Sequence, residues 1–222
     1  MPLQTKDGKI FVRDLDRIDC AVFDPTQGIY GQSWHVDLEV AGELDHRGFV
    51  HDFGPLKKLV KETLKETVDH ALLIPISSKS VDFSESAEGE TWRLSSQSKL
   101  APCPFEWEYN CPKGAVYPIR TVALKKASVE QELERVLRHR LPEPIHQLKL
   151  RLRQENISST EASFCYTHGL PQHEGLCQRL FHGHRSRLEV YVGDERRADL
   201  EHFVCREVFG GLVHVASTSQ LV

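Results

Sequence analysis

The sequence predicts an α+β fold: an antiparallel sheet with helices on one face, followed by a second, shorter unit. Three observations predict it. Extended stretches with period-two alternation come early, as in Trp34, Val36, Leu38 and Val40, which share one face. Stretches at helical spacing stand apart from them, as in Leu56, Leu59, Val60, Leu64 and Val68. The order is strand, strand, helix, excursion, strand, helix, strand, which suits a hairpin-built sheet with helices packed to one side.

Taken in order, residues 10–23 read as a strand, and a turn around Asp24 to Gly31 makes a hairpin with the strand that Gly48 ends. An amphipathic helix starts just after Pro55, and Pro75 closes that segment. Residues 77–114 are rich in Ser, Glu and Pro yet carry Phe83, Trp92, Phe105 and Trp107. Linkers rarely hold so many large apolar side chains, so an inserted hairpin or long excursion is expected. Val116 to Leu124 reads as a strand, and the helix that follows takes Ser128 as its N-cap with Glu130 in its first turn. Leu148, Leu150 and Leu152 alternate with Lys149, Arg151 and Arg153, a strand with one buried face. These elements form a first unit, residues 1–156. A second, 157–222, opens with a histidine-bearing hairpin whose buried face falls to Leu188, Val190 and Val192, and 198–208 look helical. It lacks any counterpart of the closing strand–helix–strand. A truncated chain or a partner subunit that completes the sheet would account for that.

Composition narrows the function classes. The 222 residues suffice for a sizeable core, and a net charge of -4 with 27% charged residues is ordinary for a soluble protein. Basic residues are dispersed, which argues against a nucleic-acid surface. No apolar stretch approaches the roughly 18–20 residues a bilayer span needs. The start, MPLQTKDGKI, is too polar for a signal peptide, and six cysteines without one suggest reduced thiols in a cytoplasmic protein.

The chemistry concentrates in one stretch, THGLPQHEGLCQRLFHGHRSRLEVYV, which packs His168, His173, Cys177, His182 and His184 into seventeen residues. On a strand, His182 and His184 share a face, and His168 closes an earlier apolar run, so two paired strands bring three imidazoles together. Three neutral histidines with a vacant fourth position are the usual catalytic zinc arrangement. Cys177 lies in the loop between, where a nearby cation lowers a thiol pKa. With twelve histidines in the chain, a solvated or core imidazole is the ordinary reading of any one. A third His and a Cys in one hairpin shift that balance. His173, in a polar loop, reads as solvated.

This stretch resembles the metal-binding segment of the 6-pyruvoyl tetrahydropterin synthase and 6-carboxytetrahydropterin synthase family. There a histidine ends one strand, a loop carries a catalytic cysteine, and His-Gly-His opens the next strand; here these are His168, Cys177 and His182-Gly183-His184. The gap from Gln178 to Phe181 is not a perfect copy. The resemblance extends over most of the chain, in two tandem copies of the tunnelling fold (T-fold), the second incomplete. In the first, Gly48 to Phe53 with Leu56-Lys57 resembles the strand-to-helix junction, and Asp69-His70 the Asp-His dyad. Ser128-Val129-Glu130 resembles the helix-start glutamate motif, and Glu155 falls where the last strand is acidic. Gly31, Gln32 and Ser33 stand where His-Gly-His is expected, so this copy lacks the metal site. The second copy has the reverse deficit. The two sets are complementary, and in such enzymes the site forms where subunits meet, so a fused pair keeping one half-site from each copy is expected.

The resemblance implies a Zn2+ enzyme, a lyase acting on 7,8-dihydroneopterin triphosphate, in a homo-oligomer closed around a tunnel. Zinc on His168, His182 and His184 acidifies the substrate side chain; Cys177 is the general base, and Asp69 and His70 shuttle protons. Glu155 or Glu130 accepts from the pterin 2-amino and N3–H donors, and Arg179 or His173 meets the phosphates. The loop GLCQRLFHGH is more similar to the 6-carboxytetrahydropterin branch, which feeds 7-deazaguanine and queuosine synthesis. A pyruvoyl-forming lyase and a non-catalytic, zinc-containing assembly module remain as alternatives.

Overall fold

The computed structural model describes residues 6–95, 106–158, 160–169 and 181–215. Two long strands set its frame. β1 (Asp7–Asp24) and β2 (Gly28–Glu43) pair antiparallel from Asp7 opposite Glu43 to Asp24 opposite Gly28. Asp24 builds the turn: its Oδ1 accepts from the Thr26 amide at 2.7 Å and the Gln27 amide at 3.1 Å, and Gly28 takes φ +97°. A short carboxylate and a glycine are what so tight a reversal favours.

α1 (Phe53–Glu66) follows, starting two residues ahead of Pro55, with Asp52 as its cap. β3 (Leu72–Pro75) leads into the excursion, which is a three-stranded antiparallel meander of β4 (Val81–Glu85), β5 (Glu90–Ser95) and β6 (Glu106–Cys111). β7 (Val116–Ile119) is shorter than the expected strand, because Pro118 offers no amide and the Thr121 amide turns back to the Ile119 carbonyl at 2.8 Å. α2 (Lys126–Arg138) begins two residues before Ser128. Ser128 is therefore not the N-cap; its Oγ accepts the Lys125 amide at 3.0 Å from inside the first turn. β8 (Ile145–Arg153) follows.

The principal sheet has the order β7-β3-β1-β2-β8. β1, β2 and β8 are antiparallel neighbours, as expected, whereas β3 runs parallel to β1 and β7 parallel to β3. The sheet is thus mixed at one edge. β2 ends beside the start of β1, and the α1 segment returns the chain to the far end of β1, where Ala21 meets Leu72. A strand entering there runs on in the direction of β1.

Alternation along β1 assigns the two cores. Ile18, Cys20 and Val22 face α1 and α2 together with Val36, Leu38, Leu150 and Leu152, against Val60, Leu64, Leu133 and Leu137. Both helices therefore lie on one face, each fully buried aliphatic side chain contributing about 1.5–3 kcal/mol. Ala21 and Phe23 face the other way and pack with Ile29, Leu72 and Ile74 against Trp92, Leu94 and Tyr109 of the meander. At the sheet's edge the outward amides of Leu150 and Leu152 donate to Glu134 Oε1 at 2.9 Å and Glu130 Oε1 at 2.8 Å, so α2 is fastened to β8.

The remaining elements follow β8. β9 (Ser163–His168) and β10 (His182–Arg187) form an antiparallel pair. A two-residue ladder, β11 (Tyr191–Val192) with β12 (Glu195–Arg196), precedes α3 (Ala198–Glu207), and β13 (His214–Val215) joins β9 in parallel. The buried face expected of Leu188, Val190 and Val192 does not form: β10 stops at Arg187 and Val192 is exposed. The Val190 amide donates instead to the buried Glu201 carboxylate at 3.2 Å, which draws the chain out of the ladder towards α3. Among the described residues, no helix is long and apolar enough to cross a membrane.

Candidate active site

The β9–β10 register explains how three imidazoles come together. His182 lies opposite His168, and His184 opposite Tyr166. Opposed residues share a face and so do residues two apart, so one face carries all three histidines. Their ring centroids lie 4.7 Å (His168–His182), 4.4 Å (His182–His184) and 5.1 Å (His168–His184) apart. One ring nitrogen from each falls within 4.8 Å of the others, and the Nε2 atoms of His168 and His184 are 3.0 Å apart.

The intervening Gly183 meets the first hairpin. A Cβ built on it would stand 2.6 Å from the Cys20 carbonyl oxygen and against the Gly31 Cα. A Cβ on Gly31 would run into the Tyr166 carbonyl oxygen and the His184 backbone. Two glycines thus let the hairpins touch backbone to backbone. The Arg185 amide adds a hydrogen bond to Ser33 Oγ at 3.1 Å.

This docking brings the histidines to Asp69 and His70. The His70 ring lies 4.0 Å, centroid to centroid, from that of His182. Asp69 Oδ2 is 2.9 Å from His70 Nδ1, and Asp69 Oδ1 accepts the Asp19 amide at 3.1 Å. His70 itself is left-handed (φ +60°), its amide donating to the Asp19 carbonyl at 2.8 Å. A non-glycine residue held there by surrounding bonds is stored strain of the kind found at functional sites. Among the predicted residues, His168, His182, His184, Asp69 and His70 therefore form one cluster.

Burial, reinforced by the neighbouring His70, His184 and His168, pushes the His182 pKa down to about 3, so the ring is neutral at physiological pH. Burial pushes the Asp19 carboxyl up, but hydrogen bonds from His184 and Ser33 and the charge on Arg17 outweigh it and leave the group at about 2. Burial also raises the thiols of Cys20 and Cys165, so neither supplies a thiolate near neutrality. In the metal-free protein these shifts have a definite sign. The folded state favours neutral His182, so its contribution is complete above the ordinary pKa of 6.5 and is lost as pH falls towards 3, at up to about 1.4 kcal/mol per pH unit. Asp19 adds a loss between 3.8 and about 2. Denaturant midpoints of the metal-free protein are expected to fall steadily on acidification from about pH 6.5. A flat profile down to about pH 4 would contradict the buried neutral ring.

A metal ion suits the trio, and His182 decides the point. Both its ring nitrogens are buried and meet no hydrogen-bond partner among the described residues. An unpartnered buried polar atom costs about 1–3 kcal/mol, which a cation on the lone pair relieves. Three imidazole donors, with no fourth ligand among the described residues, match the donor set of catalytic zinc.

The other predicted residues are placed differently. Cys177, His173 and Arg179 lie outside the described residues. Glu155 is 2.8 Å from Arg187, and its carbonyl accepts from Arg185 at 3.2 Å. Glu130, besides its bond to the Leu152 amide, lines a cavity of about 760 Å³ with Lys126, Glu134 and Arg151, and none of the site histidines is in its wall. Two residues that sequence reasoning passed over belong to the cluster. Asp19 Oδ1 is 3.3 Å from His184 Nδ1, and Ser33 donates to that same oxygen. Their parity in the opposed strands was the available signal.

The chain is similar to a 2.2 Å crystal structure of 6-pyruvoyl tetrahydropterin synthase from Plasmodium vivax, at 18% identity and TM-score 0.49 over 67% of this chain and 98% of that one. It is similar to the Plasmodium falciparum 6-pyruvoyl tetrahydropterin synthase at 18% identity and TM-score 0.47, over 68% and 99% respectively. No curated protein matches the chain. The family model for 6-pyruvoyl tetrahydropterin synthase matches residues 15–91 and 157–206, more than half of the sequence and both sides of the cluster just described. The chain belongs to the 6-pyruvoyl tetrahydropterin synthase family.

Proposed function

We propose that the chain is a zinc-dependent 6-carboxy-5,6,7,8-tetrahydropterin synthase. It converts 7,8-dihydroneopterin triphosphate, with loss of triphosphate, in 7-deazaguanine and queuosine synthesis. One composite site does this work, in a tandem fusion: residues 157–222 give the metal half-site and residues 1–156 the Asp-His and Glu motifs. The observation that supports this reading is the 4.0 Å approach of His70 to His182, which joins the two half-sites inside one chain. The protein is then a cytoplasmic homo-oligomer.

His168, His182 and His184 would hold the zinc ion. When bound, zinc supplies Lewis acidity to the side-chain hydroxyl oxygens of the substrate. The chain's own residues do the rest. Asp69, fixed by the Asp19 amide, orients the His70 ring and holds a proton on Nδ1, which leaves Nε2 to accept or return one. Cys177, as thiolate, is the general base. Glu155 or Glu130 accepts from the paired donors of the pterin. Glu155 follows Gln154, which lines a cavity of about 460 Å³ with Tyr30, Gln32 and Trp34. Arg179 or His173 meets the triphosphate.

Mass spectrometry of the product formed from 7,8-dihydroneopterin triphosphate tests activity and branch together. The 6-carboxy product is expected; a 6-pyruvoyl product would select the other lyase. Zinc bound without consumption of substrate would leave only the non-catalytic assembly module. Cys177→Ala is expected to keep its zinc and lose turnover.

A further inference from the structure

The geometry points to Asp19 as a positioning residue of the metal centre, a carboxylate from the first unit that orients His184 while its backbone anchors Asp69 and His70. The inference rests on the proposed reading of the three histidines as metal ligands. Several contacts meet at this one residue. Oδ1 lies 3.3 Å from His184 Nδ1. The same oxygen accepts from the Ser33 hydroxyl and, at 3.2 Å, from Arg17 Nε. The Asp19 amide donates to Asp69 Oδ1 at 3.1 Å, and its carbonyl accepts the His70 amide at 2.8 Å.

An imidazole offers a metal only the nitrogen that carries no proton. A carboxylate at Nδ1 keeps the proton there and turns the Nε2 lone pair outward. In His184 that nitrogen points at His168 Nε2, 3.0 Å away, where the ligand atoms gather. The carboxylate is itself held in place. Ser33 Oγ, besides donating to Asp19, accepts from the Arg185 amide at 3.1 Å and from Arg17 at 3.2 Å. Asp19 and Ser33 stand opposite each other in the β1–β2 register. Asp19 and Ser33 of the first hairpin thus hold His184 of the second in place.

The test compares zinc affinity of the full-length wild type, Asp19→Asn and Ser33→Ala by competition with a chromophoric chelator, with circular dichroism of each metal-free form as the fold control. Asp19→Asn preserves shape and backbone contacts, and is expected to weaken zinc binding about 10–100-fold; Ser33→Ala, which keeps the charge but frees the carboxylate, weakens it by less. Should Asp19→Asn not fold, Ser33→Ala carries the same comparison. A purely structural role is separated by background. In His184→Ala, Asp19→Asn is expected to cause no further loss, whereas in His168→Ala its effect persists. Unchanged affinity in Asp19→Asn and Ser33→Ala, or equal losses in both backgrounds, would overturn the inference and leave the proposed function standing. A wild type that binds no zinc would overturn the proposed function and this inference with it.

Discussion

Replacing His70 with alanine is expected to lower turnover of 7,8-dihydroneopterin triphosphate by about 10²–10⁴-fold, the usual worth of a positioned acid–base group, with zinc content unchanged. The ring touches His182 but is not one of the three clustered donors, so proton transfer and metal binding should separate. Asp69→Asn is expected to act in the same direction. The asparagine still reaches the Asp19 amide, yet it presents no charge to the imidazolium that forms during transfer. Steady-state rates with metal analysis on the same preparations decide the matter. Loss of zinc together with activity would make His70 part of the metal centre, and undiminished turnover would remove the dyad from the chemistry.

The second large effect is expected from a single methyl group. Gly31→Ala places a Cβ against the Tyr166 carbonyl oxygen and the His184 backbone. Backbone cannot swing aside as a flexible side chain can, so the hairpin carrying the histidines must lift. A loss of about 3 kcal/mol, at the upper end for overpacking, is expected, and zinc should go with it. Gly54→Ala serves as the control, since a Cβ there meets nothing within 4 Å; its effect should be neutral or a gain of about 0.4–1 kcal/mol. Urea denaturation and zinc retention measure both. A Gly31→Ala protein as stable as wild type, with its metal, would mean that the two hairpins are not in backbone contact.

The convergence of His168, His182 and His184 was legible in the sequence because it needs only period two and an antiparallel partner. Both are local properties, and the register supplies them. The helices on one face were legible for the same reason, from Leu56, Val60 and Leu64 at helical spacing. The contact between His70 and His182 is of another kind. It depends on Gly31 and Gly183 meeting across roughly 150 residues of chain, a tertiary event that no periodicity encodes. Asp19 was hidden likewise, as one more charge on an alternating strand until Ser33 and His184 close around it. β10 was overextended because Leu188, Val190 and Val192 keep perfect alternation, whereas the Val190 amide turns to a carboxylate eleven residues beyond it, Glu201.

The fastening of α2 to β8 bears on how other molecules could meet this sheet. An open rim of a sheet recruits strands from other molecules through its idle amides. On this rim two of those amides are already spoken for by Glu134 and Glu130, and the opposite rim is β7, whose Pro118 has no amide to lend. A neighbour that tried to lengthen the ladder beside β8 would have to evict both carboxylates and leave charge stranded near apolar leucines. The β8 rim is thereby guarded against splicing by a strand of another molecule.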